Sequence, residues 1–167
     1  MDLDEADILE IPSWSRKGHP VARWIDYIPK SYTGEVRDIT DNGFWTLSSF
    51  IEGYGIHQLL DEDTDQYWQS DGPQPHVITV EFPKKEDILF VLLYLDYKTD
   101  ESYTPSKVVV HLGPSAIDLD EGATFMFSEP VGWQVIDLRK PTGQPSRAFV
   151  LQLQIVQNHQ NGRDTHI

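Results

Sequence analysis

The 167-residue chain has the length of one domain that buries roughly two-thirds of its unfolded surface. Its 39% hydrophobic and 11% aromatic content is that of a globular chain, and with no cysteine it can form no disulfide, thiolate zinc site or cysteine nucleophile. A formal charge of −14 opposes binding to nucleic acid and favours a basic peptide or a cationic partner surface.

Residues 1–38 differ from the rest. Asp2, Asp4, Glu5, Asp7 and Glu10 form an acidic leader, which is no secretory signal, and Pro12, Gly18, Pro20 and Pro29 interrupt any regular element. Trp14, Trp24, Tyr27 and Tyr32 need somewhere to dock, so the expectation is an extended arm, partly packed on a domain spanning 39–167. No apolar run approaches the ~20 residues needed to span a bilayer, which points away from a membrane and to a place inside the cell.

From Phe44 the pattern is that of strands. Trp45–Phe50 is a short candidate, and Val77–Phe82 is β-branched and expected to stop at Pro83, which cannot donate to a ladder. Ile56–Leu60 suggests a turn or two of helix. Ile88–Tyr97 is a nearly continuous apolar run whose charged and turn-rich flanks favour a buried strand. Lys107–Leu112 follows and ends at Gly113-Pro114; Thr124–Phe127 and Trp133–Leu138 read as a pair separated by Glu129-Pro130-Val131-Gly132. In the last strand Phe149, Leu151, Leu153 and Ile155 alternate with Val150, Gln152, Gln154 and Val156, the period of two of a sheet with distinct faces, which puts Phe149 on the same face as the two leucines and Ile155. Short strands without a helix long enough for a crossover predict an all-β fold, an antiparallel jelly-roll β-sandwich.

Several catalytic or metal-binding spacings fail on context. Asp61, Asp63 and Asp65 alternate like the start of a calcium loop, but the sixth position is Gln66 and the closing glutamate position is Gly72, so a solvated acidic turn is expected. Tyr103 and Lys107 have a dehydrogenase-like spacing that Pro105 prevents from lying on a helix. No glycine-flanked serine elbow is present. His159 and His166 lack a clear third ligand beyond Asp164, so no metal and no other cofactor is expected.

Three polar loops remain: 67–72, 96–106 and 158–166. They combine amide, hydroxyl and imidazole groups with aromatic faces, a composition suited to recognition on a rigid scaffold. Turn formation alone explains part of the Asn, Asp, Ser and Gly in each.

These same loops, Tyr67–Gly72 with Pro73–His76, Asp96–Lys107 and Asn158–His166, resemble the DOC-domain family, subunit 10 of the anaphase-promoting complex, from about Phe44 onward. Leu59–Phe82 also resembles the wider galactose-binding-like sandwich superfamily. The resemblance implies a non-catalytic subunit of a ubiquitin ligase. Such a subunit helps a propeller-type coactivator hold an Arg-x-x-Leu destruction box and makes ubiquitination processive. It implies cullin-type and tetratricopeptide-repeat scaffold partners, and residence in nucleus and cytoplasm. Carried onto this chain, the peptide-binding positions are Ser102, Asn161 and His166, with Tyr103, Gln160 and Asp164 as neighbours. Family members continue past Thr165-His166-Ile167 into another strand and an Ile-Arg tail that docks on a repeat subunit. The present sequence stops at Ile167, so tail docking is not carried over and an unpaired edge is expected there. A carbohydrate-binding sandwich is the alternative, with Trp68 or Tyr103 as a sugar platform, although a buried Trp68 is the stronger reading.

Overall fold

The computed structural model describes residues 23–167, preceded by the backbone of a short antiparallel pair, β1 (Ser13–Trp14) and β2 (Pro20–Val21). The acidic leader positions Asp2 to Glu10 and the side chain of Trp14 lie outside the described residues. Then come β3 (Phe44–Leu47), α1 (Ile56–Leu59), β4 (His76–Ile88), β5 (Phe90–Asp96), α2 (Tyr97–Asp100), β6 (Pro105–Gly113), β7 (Ala123–Met126), β8 (Val131–Asp137) and β9 (Ser146–Asn158).

Among the described residues all strand pairings are antiparallel. One sheet has the order β3-β4-β9-β6-β7, and the other is β5-β8. Their facing sides enclose the core: Ile78 and Val80 from β4, Val108 and Val110 from β6, Leu151, Leu153 and Ile155 from β9, against Leu93, Leu95 and Ile136. The predicted jelly-roll sandwich is the observed architecture.

Three expectations are corrected. Strand β4 does not end at Pro83; it runs to Ile88, because the β4–β9 register breaks between Glu81 and Glu86 and the proline falls in that irregularity, where no ladder donor is required. The same shift moves Phe149 off the inner face and puts Ala148 in the core instead. Strands β7 and β8 do not pair with each other. Residues 127–130 cross between the sheets, so that β7 joins β6 and β8 joins β5.

The outer side of β5–β8 is covered by residues after the leader. The ring of Tyr32 stands edge-on to Phe90 at 5.8 Å, and the Arg139 guanidinium lies over both rings, at 5.9 and 5.1 Å. Arg139 also donates to Ser31 Oγ at 3.3 Å and pairs with Asp137 at 2.8 Å. Hydrogen bonding to that guanidinium holds the Asp137 carboxyl below its ordinary range.

The register fixes where loops emerge. Pro105 at the start of β6 pairs with Asn158 at the end of β9, His76 begins β4 beside Ile155, and Asp96 ends β5 opposite Val131. Loops 67–75, 97–104, 127–130 and 159–166 therefore share one end of the sandwich.

A candidate binding rim at one end of the sandwich

Trp68 anchors the first loop. It is fully buried, its indole N–H donates to Ser49 O at 2.9 Å, and its backbone exchanges hydrogen bonds with Ile167. With the bridge between Gln69 and His166, those bonds tie the segment ending at Ile167 to the first loop. The buried indole is no sugar platform.

The second loop leaves β5 through α2, a helical turn at the start of the segment read in sequence as a polar loop. The Asp96 carboxylate forms it by accepting from Thr99 N and Oγ1, at 3.3 and 2.8 Å. The third loop presses on the second: a Cβ placed on Gly162 would lie 1.7 Å from Ser102 O. Only glycine permits this approach, and it sets Asn161 next to Ser102. The backbone continues the junction, with His166 N donating to Tyr103 O at 2.9 Å and His159 N to Thr104 O at 2.9 Å. Ser102, Asn161 and His166 are thus brought to one rim.

Their roles differ. Among the described residues, the side chains of Ser102 and Asn161 have no hydrogen-bond partner in the protein. Asn161 is exposed with φ 56°, and Ser102 is half-buried. Gln160 is exposed, and its Nε2 donates to Tyr97 Oη at 3.0 Å, leaving its oxygen available. Tyr103 is 38% exposed but has one face stacked on His166, with centroids 4.1 Å apart.

Asp164 and His166 face inward. Asp164 Oδ1 accepts from Ser70 Oγ at 3.0 Å. His166 is buried between Tyr103 and Tyr67, its Nδ1 donating to Asp100 Oδ1 at 3.0 Å and its Nε2 facing the Gln69 amide at 2.9 Å. His166 has no free ring nitrogen; it ties loops 67–69, 100–103 and 166 together.

Further holders lie outside the set expected to bind a peptide, and His159 among them was weighed in sequence only as a metal ligand. Asn158 Nδ2 donates to Gly162 O and Asp164 O at 3.2 and 3.0 Å, Gln74 Nε2 donates to Gly162 O at 3.0 Å, and His76 Nε2 donates to Arg163 O at 2.5 Å. His159 binds Thr104 O and Glu129 N. The only sequence signal for them was their place inside or beside the polar loops.

The acidic stretch after α1 is a hydrogen-bonded turn: the Asp61 and Asp63 carboxylates accept from Asp63 N and Asp65 N, at 2.8 and 2.9 Å. Among the described residues, no group of three or more His, Asp or Glu is arranged to hold a metal ion.

The chain is similar to named proteins over most of its length. A family model described as anaphase-promoting complex, subunit 10 (APC10), matches residues 19–167. Anaphase-promoting complex subunit 10 of Homo sapiens is 44% identical over 135 residues, covering 81% of this chain and 73% of that protein. The Drosophila melanogaster protein of the same name is 40% identical over 165 residues, 99% of this chain and 80% of the relative. Subunit DOC1 of Saccharomyces cerevisiae is 33% identical, with coverage of 78% and 53%. Among solved structures, the family 32 carbohydrate-binding module of Clostridium perfringens NanJ in complex with galactose superimposes with a TM-score of 0.60 at 11% identity, covering 76% of this chain and 90% of that one. A second such module, CpGH89CBM32-5 with GalNAc-β-1,3-galactose, gives 0.61 at 13% identity, with coverage of 75% and 91%. At these identities the likeness is one of fold. The family model spans residues 19–167 and the Homo sapiens and Drosophila melanogaster relatives are 40% or more identical over most of the chain, so the chain belongs to the anaphase-promoting complex subunit 10 family.

Proposed function

We propose that this chain is a non-catalytic subunit of the anaphase-promoting complex that holds the destruction box of substrates jointly with a propeller-type coactivator and so makes ubiquitination processive. The observation carrying this reading is the convergence of three separated loops on one rim, where Ser102 and Asn161 stand together with uncommitted hydrogen-bonding groups. Hydroxyl and amide groups of this kind suit the backbone and polar positions of an extended peptide. The charge of −14 favours approach of an arginine-bearing segment. A half-site shared with a coactivator binds weakly alone and gains strength through linkage. The same reading places the chain in nucleus and cytoplasm, against cullin-type and tetratricopeptide-repeat scaffold subunits.

The sugar-binding alternative loses its platform, because Trp68 is fully buried and one face of Tyr103 is covered by His166. The test is a photo-crosslinking destruction-box peptide added to the reconstituted ligase with coactivator, beside a glycan panel on the isolated chain. Crosslinks at residues 102–103 and 160–161 are expected. Crosslinks elsewhere on the chain, or glycan binding abolished by Asn161→Ala, would overturn the reading.

A further inference from the structure

Among the described residues, four non-glycine positions have a left-handed backbone: Glu101 (φ 50°), Glu129 (φ 44°), Gln160 (φ 54°) and Asn161 (φ 56°). Such conformations are costly for these residues and persist where surrounding contacts impose them. Three belong to the loops already described. Glu129 belongs to the crossing between β7 and β8, which reads in sequence as a plain Glu-Pro turn.

His159 is what holds that crossing. Its Nδ1 lies 2.8 Å from Thr104 O, an acceptor only, so this nitrogen carries the proton. Its Nε2 lies 3.0 Å from Glu129 N, a donor only, so this nitrogen is bare. The two bonds together require the neutral Nδ1–H tautomer. A second tie comes from Tyr97, whose N–H donates to Pro130 O at 2.8 Å and whose ring lies 4.9 Å from His159. Tyr97 Oη in turn accepts from Gln160 Nε2, next to Asn161. The crossing is thereby fixed against the loop that carries the free amide, and it leaves Val131 52% exposed beyond a buried Pro130.

We infer that residues 128–131 form a fourth wall of the rim, with Val131 making apolar contact with the bound peptide, and that His159 is the positioning residue for this wall. The inference rests on the peptide-binding reading of the rim. The rim's other presented side chains are polar or aromatic, and Val131 adds the aliphatic surface that an extended peptide's apolar position needs.

The experiment uses the reconstituted ligase with coactivator and an Arg-x-x-Leu peptide, together with hydrogen exchange and imidazole nitrogen NMR on the full chain. Val131→Ser should weaken peptide engagement by about five-fold, the scale of one modest apolar contact. Ile117→Ser, at a fully exposed apolar residue in the loop at the other end of the sandwich, should not change it. His159→Phe keeps a ring beside Tyr97 but removes both nitrogens; it should lose protection of the Glu129 amide and weaken binding to the same degree. His159→Gln, whose amide sets a donor and an acceptor about as far apart as the imidazole nitrogens, should restore both. Full binding by Val131→Ser and His159→Phe, with binding lost in Ser102→Ala/Asn161→Ala, would overturn the fourth wall and leave the rim reading intact. Unchanged binding in all of them would overturn both, and an Nε2–H tautomer at His159 would by itself remove the proposed tether.

Discussion

Gly162→Ala probes the junction on which the rim depends. The glycine has φ −58° and ψ 141°, an ordinary extended conformation for any residue. By backbone entropy alone the change should stabilise the protein by about 0.4–1 kcal/mol. The structure predicts the opposite sign. The new Cβ would sit 1.7 Å from Ser102 O and 2.7 Å from Ser102 C, both backbone atoms that cannot swing away as a side chain could. Reaching a van der Waals separation means moving the two loops apart by roughly 1.5–2 Å, given that carbon contacts are favourable near 3.5 Å. Inserting one methyl into a tight contact costs about 1–3 kcal/mol, and an exposed loop relaxes more readily than a core, so the lower half of that range applies. At about 2–4 °C per kcal/mol for a domain of this size, thermal unfolding should fall by a few degrees. Peptide engagement should fall far more, because Ser102 and Asn161 are displaced relative to each other. Differential scanning calorimetry, paired with substrate processivity in the reconstituted ligase, reads both quantities. Gly143→Ala is the control: it has φ +85° and nothing near its Cβ, in a turn at the other end of the sandwich, so it should cost stability and spare binding. A Gly162→Ala protein that is more stable than wild type and fully processive would refute the packing argument.

Other expectations separate holding from presenting. Trp68→Ala removes the largest fully buried side chain and should destabilise the domain by about 3–5 kcal/mol in a denaturant titration, with collapse of the rim as a consequence. His166→Ala leaves Asp100 and Gln69 facing a cavity and should cost about 1–3 kcal/mol, so any loss of peptide engagement is accompanied by a lower midpoint. Asp137 has a lowered pKa, so its pairing with Arg139 stabilises the folded state above the ordinary carboxylate value near 4 and fades as pH falls through the depressed folded value. Acid titration followed by Tyr32 ring NMR signals should show that loosening below about pH 4, and Asp137→Asn should abolish the transition.

What the sequence disclosed and what it withheld divide along physical lines. Strand β5 was legible because an apolar run with charged flanks has few other homes, and β9 because its period of two is written locally. Phe149 was misplaced because the register shift beside Pro83 depends on how β4 lies on β9, not on either segment alone. The crossing of residues 127–130 resembled a hairpin turn, since a Glu-Pro-Val-Gly sequence does not reveal which neighbour each flanking strand will find. At the rim, the polar composition of three loops was readable, but the division of labour within them was not. His166 is oriented by Asp100 and Gln69, 66 and 97 residues away, and Asp164 by Ser70, 94 residues away. Whether a polar residue presents itself or braces another is decided by such long-range partners, which single-sequence spacing does not encode.

The account is tested most directly by ubiquitin-chain processivity of the reconstituted ligase carrying Ser102→Ala together with Asn161→Ala. Both side chains lack partners within the described protein, so the unfolding midpoint should stay within about 0.5 kcal/mol of wild type. Processivity on a destruction-box substrate should drop clearly while incorporation into the complex is retained. Undiminished processivity by this correctly folded double variant would contradict the assignment of the rim as a degron site.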